Sequence, residues 1–290
     1  MFTALLETMR PRQWTKNFFV FAAIIFSQRV LDPVAISNTL AAFCLFCLLS
    51  GSVYIMNDVA DAEKDREHPA KRNRPVAAGR LPKSVGLLAA AVIAAASVAL
   101  AFTITPAFAL IAIAYLALNL LYSLALKHVV ILDVLLVAIF FVLRAAAGAA
   151  AISVEISPWL LICTILLALF IALSKRRHEL VLLEGNASAH RASLLEYTPY
   201  LLDQMIAVAT ASTLMAYCLY TVDDRTIREF GTNHLMYTIP CVIFGIFRYL
   251  YLVHQKGEGG HPDRIILSDR PFLVNLLVWT GIVAVVIYLR

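Results

Sequence analysis

Four side chains with oxygen atoms that suit a metal lie close together near residue 60. They are Asn57, Asp58, Asp61 and Asp65. Residues 57, 61 and 65 are four apart, so they stack on one face of a helix, and Asp58 flanks the same face. Oxygen ligands at this spacing suit Mg²⁺, which keeps several waters and binds a few carboxylates together with substrate phosphates. Because stacked carboxylates repel one another, a metal-free motif would weaken its own helix, and for this reason we infer a bound cation. We expect Mg²⁺, with Mn²⁺ as a substitute.

Basic residues follow these carboxylates directly, and Lys71, Arg72 and Arg74 lie among them. A metal held by carboxylates beside several Lys and Arg side chains can bind a diphosphate, since cations bridge some of its oxygens and guanidinium groups bind the others. The alternative is a solvated helix end in which acidic and basic residues alternate. The pattern favours a diphosphate site because it begins where a long apolar segment ends.

The composition indicates which elements position these residues. Of the 290 residues, 61% are hydrophobic and 15% are charged, against roughly 45–50% and 25% in soluble domains. This balance indicates a lipid environment, where backbone groups must be paired within each segment, and that requirement predicts helices. We expect an all-α, polytopic membrane bundle of about nine transmembrane helices, forming one domain over residues 1–290. The apolar segments fall near residues 15–31, 39–56, 84–103, 106–126, 129–152, 158–174, 204–222, 235–253 and 271–289.

The distribution of Lys and Arg predicts the orientation of the bundle. With nine spans, the connections on the side of the N-terminus contain 18 of these residues, and the opposite connections with the C-terminus contain four. Since cytoplasmic loops are enriched in Lys and Arg, we expect the long connections 57–83 and 175–203 in the cytoplasm, beneath a bacterial-type plasma membrane. Nothing in the sequence indicates a nucleic-acid partner, and an oligomer is compatible with it.

The segment NDVADAEKDREHPAKRNRPVAAG, residues 57–79, resembles the first signature of the UbiA superfamily of intramembrane prenyltransferases. The resemblance extends over essentially the whole chain and implies that membrane fold. It also implies that the motif binds Mg²⁺ and a diphosphate. On this basis Asn57, Asp58, Asp61 and Asp65 are the metal ligands, and the three aspartates are the catalytic residues.

The chain departs from the usual pattern of that superfamily after the sixth predicted span. Members usually have a second aspartate-rich motif there, whereas residues 174–180 of this chain read SKRRHEL. Three cations therefore replace the expected acids. This exchange predicts a site for a bare anion instead of a second metal–diphosphate.

This departure, together with RPRQWTKN at residues 10–17 and HPDRIILSDR at 261–270, resembles one branch of the superfamily. That resemblance implies transfer of 5-phosphoribose from phosphoribosyl diphosphate to a polyprenyl phosphate of decaprenyl type, for synthesis of cell-envelope precursors. The substrate-binding residues that it implies are Lys16, Asn17, Lys71, Arg72, Arg74, Tyr122, Lys127, Asp133, Lys175, Arg176 and Glu179.

Two other functions remain open from the sequence. The first keeps the fold but uses a prenyl diphosphate as donor and an aromatic or other acceptor. The second is a transporter, since buried charges can line a pathway. Transporters tend to place ionisable groups near the middle of the bilayer, and here the carboxylates cluster at one end of a span, which favours an enzyme.

Charged residues inside the apolar segments need partners, because an isolated charge in lipid is costly. We expect Asp133 to face the cavity and to pair with Lys127 or with substrate. Arg144 and Arg248 are expected to have structural partners. The glycine-rich stretch 257–260 predicts a flexible turn.

Overall fold

The described part of the chain is helical throughout, as expected. The computed structural model describes residues 1–67, 71–182, 196–257, 259–260 and 268–288. Within these residues there are twelve α-helices, and eight helical segments are long and apolar enough to cross a membrane. The helices are α1 (Phe2–Thr8), α2 (Ala22–Phe26), α3 (Pro33–Ala60), α4 (Ala62–Glu67), α5 (Lys83–Ile104), α6 (Pro106–Leu124), α7 (Leu132–Ala151), α8 (Pro158–Leu182), α9 (Pro199–Val222), α10 (Asp224–Phe230), α11 (Ile239–Gln255) and α12 (Arg270–Tyr288). The predicted all-α membrane fold is confirmed.

The first predicted span, 15–31, is not one long α-helix. A 3₁₀-helix of 11 residues, Pro11–Phe21, leads directly into the five residues of α2. A 3₁₀-helix rises about 2.0 Å per residue, so the 3₁₀ part extends about 22 Å, and α2 adds about 8 Å. The two together extend about 30 Å, the thickness of the hydrocarbon core of a bilayer. This first segment therefore has the reach of a span although it is too short to count as a spanning α-helix.

The described residues form two compact units. The first consists of Met1–Lys127 and Phe140–Ile156, and the second of His128–Ile139 and Ser157–Arg290. Helix α7 begins in the second unit and ends in the first. The expected single domain over residues 1–290 stays a prediction.

Helix α3 is the central element of the first unit. It packs against α1, α5, α6 and the 3₁₀-helix. Phe46 of α3 is fully buried, and its ring lies 5.8 Å from that of Phe108 and 5.2 Å from that of Tyr115, both on α6. This packing holds the carboxyl-terminal end of α3 beside the end of α6, where the carboxylates begin.

Helices α8 and α9 form the core of the second unit. They pack along each other, and Phe170 of α8 meets Tyr249 of α11 with ring centroids 5.0 Å apart. Leu202 and Ile206 of α9 are buried in the same cluster. The basic end of α8 is thereby fixed against α9 and α11.

Candidate active site

The acidic motif lies at the junction between α3 and α4. Helix α3 ends at Ala60, α4 begins at Ala62, and Asp61 lies between them. The Asp61 N–H donates to the Asn57 carbonyl at 2.9 Å, and the Asp65 N–H donates to the Asp61 carbonyl, also at 2.9 Å. These bonds carry the helical spacing across the junction, so the motif stays helical in geometry.

The two most buried carboxylates of the motif share one guanidinium group. Asp58 and Asp65 are only 2% and 3% exposed. Nη1 of Arg74 lies 3.2 Å from Oδ1 of Asp58 and 2.7 Å from Oδ2 of Asp65. Arg10 forms a further ion pair with Asp58. Residues seven apart in a helix point in nearly the same direction, which explains why Asp58 and Asp65 meet the same partner.

The other two motif residues contact the end of α6. Oδ1 of Asn57 accepts a hydrogen bond of 2.5 Å from the Ser123 hydroxyl. Nζ of Lys127 lies 3.3 Å from Oδ1 of Asp61. Asn57 and Asp61 therefore contact residues at and after the end of α6, whereas Asp58 and Asp65 share Arg74.

Each of the three aspartates has a basic partner supplied by the chain. Arg74 and Arg10 neutralise the buried pair, and Lys127 neutralises Asp61. Repulsion within the motif is thus relieved by the protein itself. Repulsion alone therefore no longer requires a cation, and the inference of a bound metal at the motif stays a prediction.

The donor set of the motif nevertheless fits a hard divalent cation. Within the described residues no group of three or more His, Cys, Asp or Glu side chains is arranged as a metal site. However, one nitrogen of Arg74 contacts oxygens of both Asp58 and Asp65, so a single positive centre reaches both carboxylates. Oxygen ligands of this kind are those that Mg²⁺ prefers. A metal at this point requires that Arg74 move aside.

The basic loop after α4 is folded back onto the first unit. Val76 and Leu81 of this loop are buried against Ala4 of α1 and Ala62 of α4. The Arg66 side chain donates to the Ala77 carbonyl at 3.1 Å. This packing directs Arg74 toward the carboxylates.

The three predicted basic residues of the loop differ in their positions. Arg74 forms the ion pairs with the motif, whereas Arg72 is exposed and Lys71 is half-buried. Their expected contacts with a diphosphate stay predictions.

Arg10 belongs to the RPRQWTKN segment, which the resemblance places near the donor, and it contacts the acidic motif. It joins α1 to the 3₁₀-helix with a left-handed backbone, φ 55°. Its guanidinium lies 5.0 Å from the centre of the Tyr54 ring and pairs with Asp58. The only sequence signal was its place in the RPRQWTKN segment.

Asn17, expected to bind substrate, is fully buried and bonded within the fold. Its Oδ1 accepts from Nε of Arg144 at 2.8 Å, and its Nδ2 donates to the Ser50 hydroxyl at 3.2 Å. Ser50 lies seven residues, or about two helical turns, before Asn57. In this structure Asn17 therefore ties the 3₁₀-helix to α3 and α7. Lys16 is half-buried on the same segment.

Two further predicted residues lie near the end of α6. Tyr122 packs edge-on against the Phe140 ring, with centroids 5.7 Å apart. Lys127 lies in the short 3₁₀ turn Leu126–His128 that follows α6. Of these two predicted ligands, Lys127 contacts the acidic motif directly.

Asp133 in the second unit pairs with Arg176, and not with Lys127 as one reading of the sequence expected. Asp133 is fully buried; Nε of Arg176 donates to its Oδ2 at 3.1 Å, and the Tyr197 hydroxyl donates to its Oδ1 at 2.9 Å. The Tyr197 oxygen in turn accepts from the Ile131 N–H at 2.6 Å. Burial raises the pKa of Tyr197 to about 12, so its hydroxyl remains a donor. Tyr197 was not found from the sequence.

The basic end of α8 carries acids among its cations. Nη1 of Arg176 lies 2.6 Å from Oε2 of Glu179, and Nζ of Lys175 lies 4.0 Å from Oε1 of the same residue. Arg177 pairs with Asp203. The predicted bare-anion site is therefore balanced by carboxylates, and Lys175, whose side chain is 48% exposed, is its most accessible cation.

The glycine-rich turn is packed at one end, and its expected flexibility stays a prediction. A Cβ atom on Gly260 would lie 2.6 Å from Nε2 of His178, so Gly260 fits closely against α8. Gly257 has φ +66° and open space around it. Residues 258 and 261–267, which include most of the HPDRIILSDR segment, lie outside the described residues, as do 68–70 and 183–195 of the two long connections.

The two arginines inside predicted spans have the structural partners expected of them. Nη2 of Arg248 lies 2.8 Å from Oδ2 of Asp269. Arg144, only 4% exposed, donates to Asn17, to the Tyr115 hydroxyl at 2.9 Å and to the Phe140 carbonyl at 2.7 Å. Both therefore tie neighbouring elements together.

Comparisons with known proteins agree on the family. The model of the UbiA prenyltransferase family matches residues 17–265. The decaprenyl-phosphate phosphoribosyltransferase of Corynebacterium glutamicum is 36% identical over 295 residues, covering 98% of this chain and 87% of that protein. The protein of the same name from Mycobacterium tuberculosis is 34% identical over 285 residues, covering 96% of this chain and 92% of its own length.

The fold also resembles a solved structure. A UbiA homolog from Archaeoglobus fulgidus, bound to GPP and Mg²⁺, superimposes with a TM-score of 0.75 at 17% identity, covering 98% of this chain and 99% of that one. At this level of identity the similarity shows the fold alone. It agrees with the helical membrane architecture described above.

Proposed function

The chain belongs to the UbiA prenyltransferase family, and from that premise we propose that it transfers 5-phosphoribose from phosphoribosyl diphosphate to a polyprenyl phosphate of decaprenyl type. Diphosphate is the leaving group. The observation that carries the proposal is the convergence of Arg10, Arg74 and Lys127 on the carboxylates Asp58, Asp61 and Asp65. Such a group of acids and bases suits a metal–diphosphate.

The choice of donor and acceptor is supported by the second unit and by the relatives. Where other members of the family are expected to carry a second acidic motif, α8 carries Lys175, Arg176 and Arg177. The relatives named above share about a third of their residues with this chain and are named for transfer of phosphoribose to decaprenyl phosphate. We infer that the lipid phosphate binds Lys175 and Arg176, with Glu179 and Asp133 orienting the guanidinium.

The proposed reaction is a single displacement at C1 of the ribose. The bond from C1 to the diphosphate oxygen breaks and its electron pair leaves with the diphosphate, while a lipid phosphate oxygen attacks from the opposite face and inverts the anomeric carbon. The second pKa of a phosphate monoester is near 6, so the nucleophile is already largely ionised at pH 7. No side chain has to act as a general base. Arg10 and Arg74 bind diphosphate oxygens in this scheme, with Arg72 and Lys71 nearby in the same loop.

Mg²⁺ is the proposed cofactor, and Mn²⁺ is expected to substitute for it. Asn57, Asp58, Asp61 and Asp65 would hold it, and when bound it would offset the charge that develops on the leaving diphosphate. EDTA should therefore stop turnover, and either metal should restore it. We place this site on the cytoplasmic face of the membrane, where a soluble and highly charged sugar donor is available.

A direct assay tests the proposal. Purified protein receives radiolabelled phosphoribosyl diphosphate with decaprenyl phosphate in one mixture, and a prenyl diphosphate with aromatic acids in another. We expect labelled lipid in the first mixture only. Product in the second mixture alone would establish a prenyl donor, and solute flux in liposomes without chemical turnover would indicate a transporter.

A further inference from the structure

The carboxylates of the acidic motif are already occupied by basic side chains of the same chain. Arg74 bridges Asp58 and Asp65, and Arg10 also binds Asp58. A divalent cation that bridges Oδ1 of Asp58 and Oδ2 of Asp65 would occupy the position that Nη1 of Arg74 holds. A metal that enters this site has to displace at least one arginine.

The carboxylates and the arginines differ in how freely they can move. Asp58 and Asp65 are buried, whereas the side chains of Arg10 and Arg74 are 31% and 29% exposed. Their guanidinium groups have room on the solvent side that the carboxylates lack. A buried carboxylate left without a counter-ion is strongly unfavourable, so an arginine can leave only when another cation takes its place.

A diphosphate offers the displaced arginines a new partner. Guanidinium groups bind phosphate oxygens through paired, charge-assisted hydrogen bonds. Metal and diphosphate together therefore satisfy both sides of the exchange: the metal replaces the arginines on the carboxylates, and the diphosphate binds the arginines. Metal alone leaves the arginines without an anion.

We propose that Arg10 and Arg74 are exchangeable counter-ions that hold Asp58 and Asp65 when the donor is absent and move to the diphosphate when it binds with metal. This inference rests on the proposed function, which places metal and diphosphate at this motif. It makes the binding of the two ligands strongly cooperative, and by linkage each raises the affinity of the other by the same factor.

Both arginines belong to one packed part of the first unit. Arg10 follows α1 directly, and Ala4 of α1 packs against Val76 of the loop that carries Arg74. Arg80 of the same loop donates two hydrogen bonds, of 2.8 and 2.9 Å, to the carboxylate of Glu7 in α1. That exposed pair lies outside the acidic motif and supplies a matched control.

The test measures Mn²⁺ binding to the full-length protein, with inorganic diphosphate as the second probe and no sugar or lipid substrate. Free Mn²⁺ is followed by electron paramagnetic resonance, and binding of Mn²⁺ to diphosphate in buffer is subtracted. We expect diphosphate to raise the Mn²⁺ affinity of the wild type by about tenfold or more. Arg10→Gln and Arg74→Gln should each bind Mn²⁺ about threefold more tightly without diphosphate and show less cooperativity. Arg80→Gln should behave like the wild type.

The outcomes separate this inference from the function on which it rests. If neither arginine variant gains Mn²⁺ affinity, or if Arg80→Gln gains as much, the exchange is refuted. Asp65→Asn tests the metal site itself. If this variant binds Mn²⁺ as tightly as the wild type, the proposed cofactor site is contradicted. If Asp65→Asn loses Mn²⁺ binding but neither arginine variant binds Mn²⁺ more tightly than the wild type, only the exchange is contradicted. If one arginine variant is not monodisperse, the other decides the question.

Discussion

The aspartates of one motif are expected to differ in what they contribute to stability. Asp65 is buried and holds Arg74, whereas the Asp61 side chain is 38% exposed and lies 3.3 Å from Lys127. Asp65→Asn and Asp61→Asn should both abolish transfer, because each removes a proposed metal ligand. Asp65→Asn should also lower the free energy of unfolding by about 1–2 kcal/mol, and Asp61→Asn by less than about 0.5 kcal/mol. Thermal unfolding in detergent, beside the transfer assay, checks both values.

That difference reverses what repulsion within the motif would suggest. If the carboxylates mainly repelled one another, both substitutions would stabilise the protein. Equal or higher unfolding temperatures for both variants would show that the ion pair between Asp65 and Arg74 contributes nothing. Transfer activity close to wild type in either variant would remove that aspartate from the mechanism.

Lys175 gives a cleaner test of the acceptor site than Arg176. Arg176 satisfies the buried carboxylate of Asp133, so its removal also disturbs the fold. Lys175→Ala should raise the KM for polyprenyl phosphate about tenfold, a loss of about 1.4 kcal/mol, with an unchanged KM for phosphoribosyl diphosphate. Lys83→Ala is the control, because Lys83 is similarly exposed and pairs with Glu63 at 3.0 Å. A rise only in the KM for the sugar donor would reverse the assignment.

At the scale of residues, the sequence identified the acids better than their partners. The four motif residues were found because helical spacing brings residues of one short segment together. Arg10 lies 48 residues before Asp58, and Tyr197 lies 64 residues after Asp133. Such pairs depend on how helices pack, which the local pattern does not contain. The pairing of Asp133 with Arg176 instead of Lys127 has the same origin.

At the scale of elements, the length of the apolar segments predicted the seven long helices from α3 to α11 and the final α12. It did not predict the structure of the first segment. Its apolar composition predicts an α-helix, and the structure has a 3₁₀-helix there. The Val20 backbone approaches Gly148 of α7 so closely that a Cβ atom would overlap the Val20 carbonyl. This close approach, with the bond from Arg144 to Asn17, is a tertiary constraint that composition does not show.

Gly148→Ala tests this contact between the first segment and α7. The new methyl group would meet backbone atoms of Val20, with the carbonyl carbon at 2.8 Å, and backbone cannot rotate away as a side chain can. We expect a loss of about 2–3 kcal/mol in the free energy of unfolding. Gly281→Ala in α12 is the control, since nothing lies within 4 Å of the added Cβ, and it should gain up to about 1 kcal/mol. Similar unfolding temperatures for the two variants would contradict the tight fit.

At the scale of the whole molecule, the Lys and Arg count is consistent with the contacts inside each unit. In the first unit, Arg10 and Lys127 both contact the acidic motif. The N-terminal segment, the connection 57–83 and the turn at Lys127, all predicted on the cytoplasmic side, therefore lie at the same end of this unit. In the second unit, Asp203 pairs with Arg177, and its Oδ1 lies 3.2 Å from Nε2 of His254. These contacts bring the connections that follow α8 and α11 to the same end of this unit. The far end of the first segment lies at the opposite end of its unit, where Arg29 donates to the Ile152 carbonyl at 2.8 Å. The first segment therefore crosses its unit from end to end.

The orientation can be measured with reporters that are active only in the cytoplasm. One is fused before Met1, one is inserted at Gly257, which is exposed and has open space around it, and one is fused after Arg290. We expect the first two to be active and the third to be silent, because the positive connections face the cytoplasm. The reverse pattern would place the acidic motif outside the cell, away from the soluble donor, and would contradict the proposed function. A silent reporter before Met1 with the other two as expected would mean that the first segment does not cross the bilayer, and Arg10 could then not reach Asp58 from the cytoplasmic side.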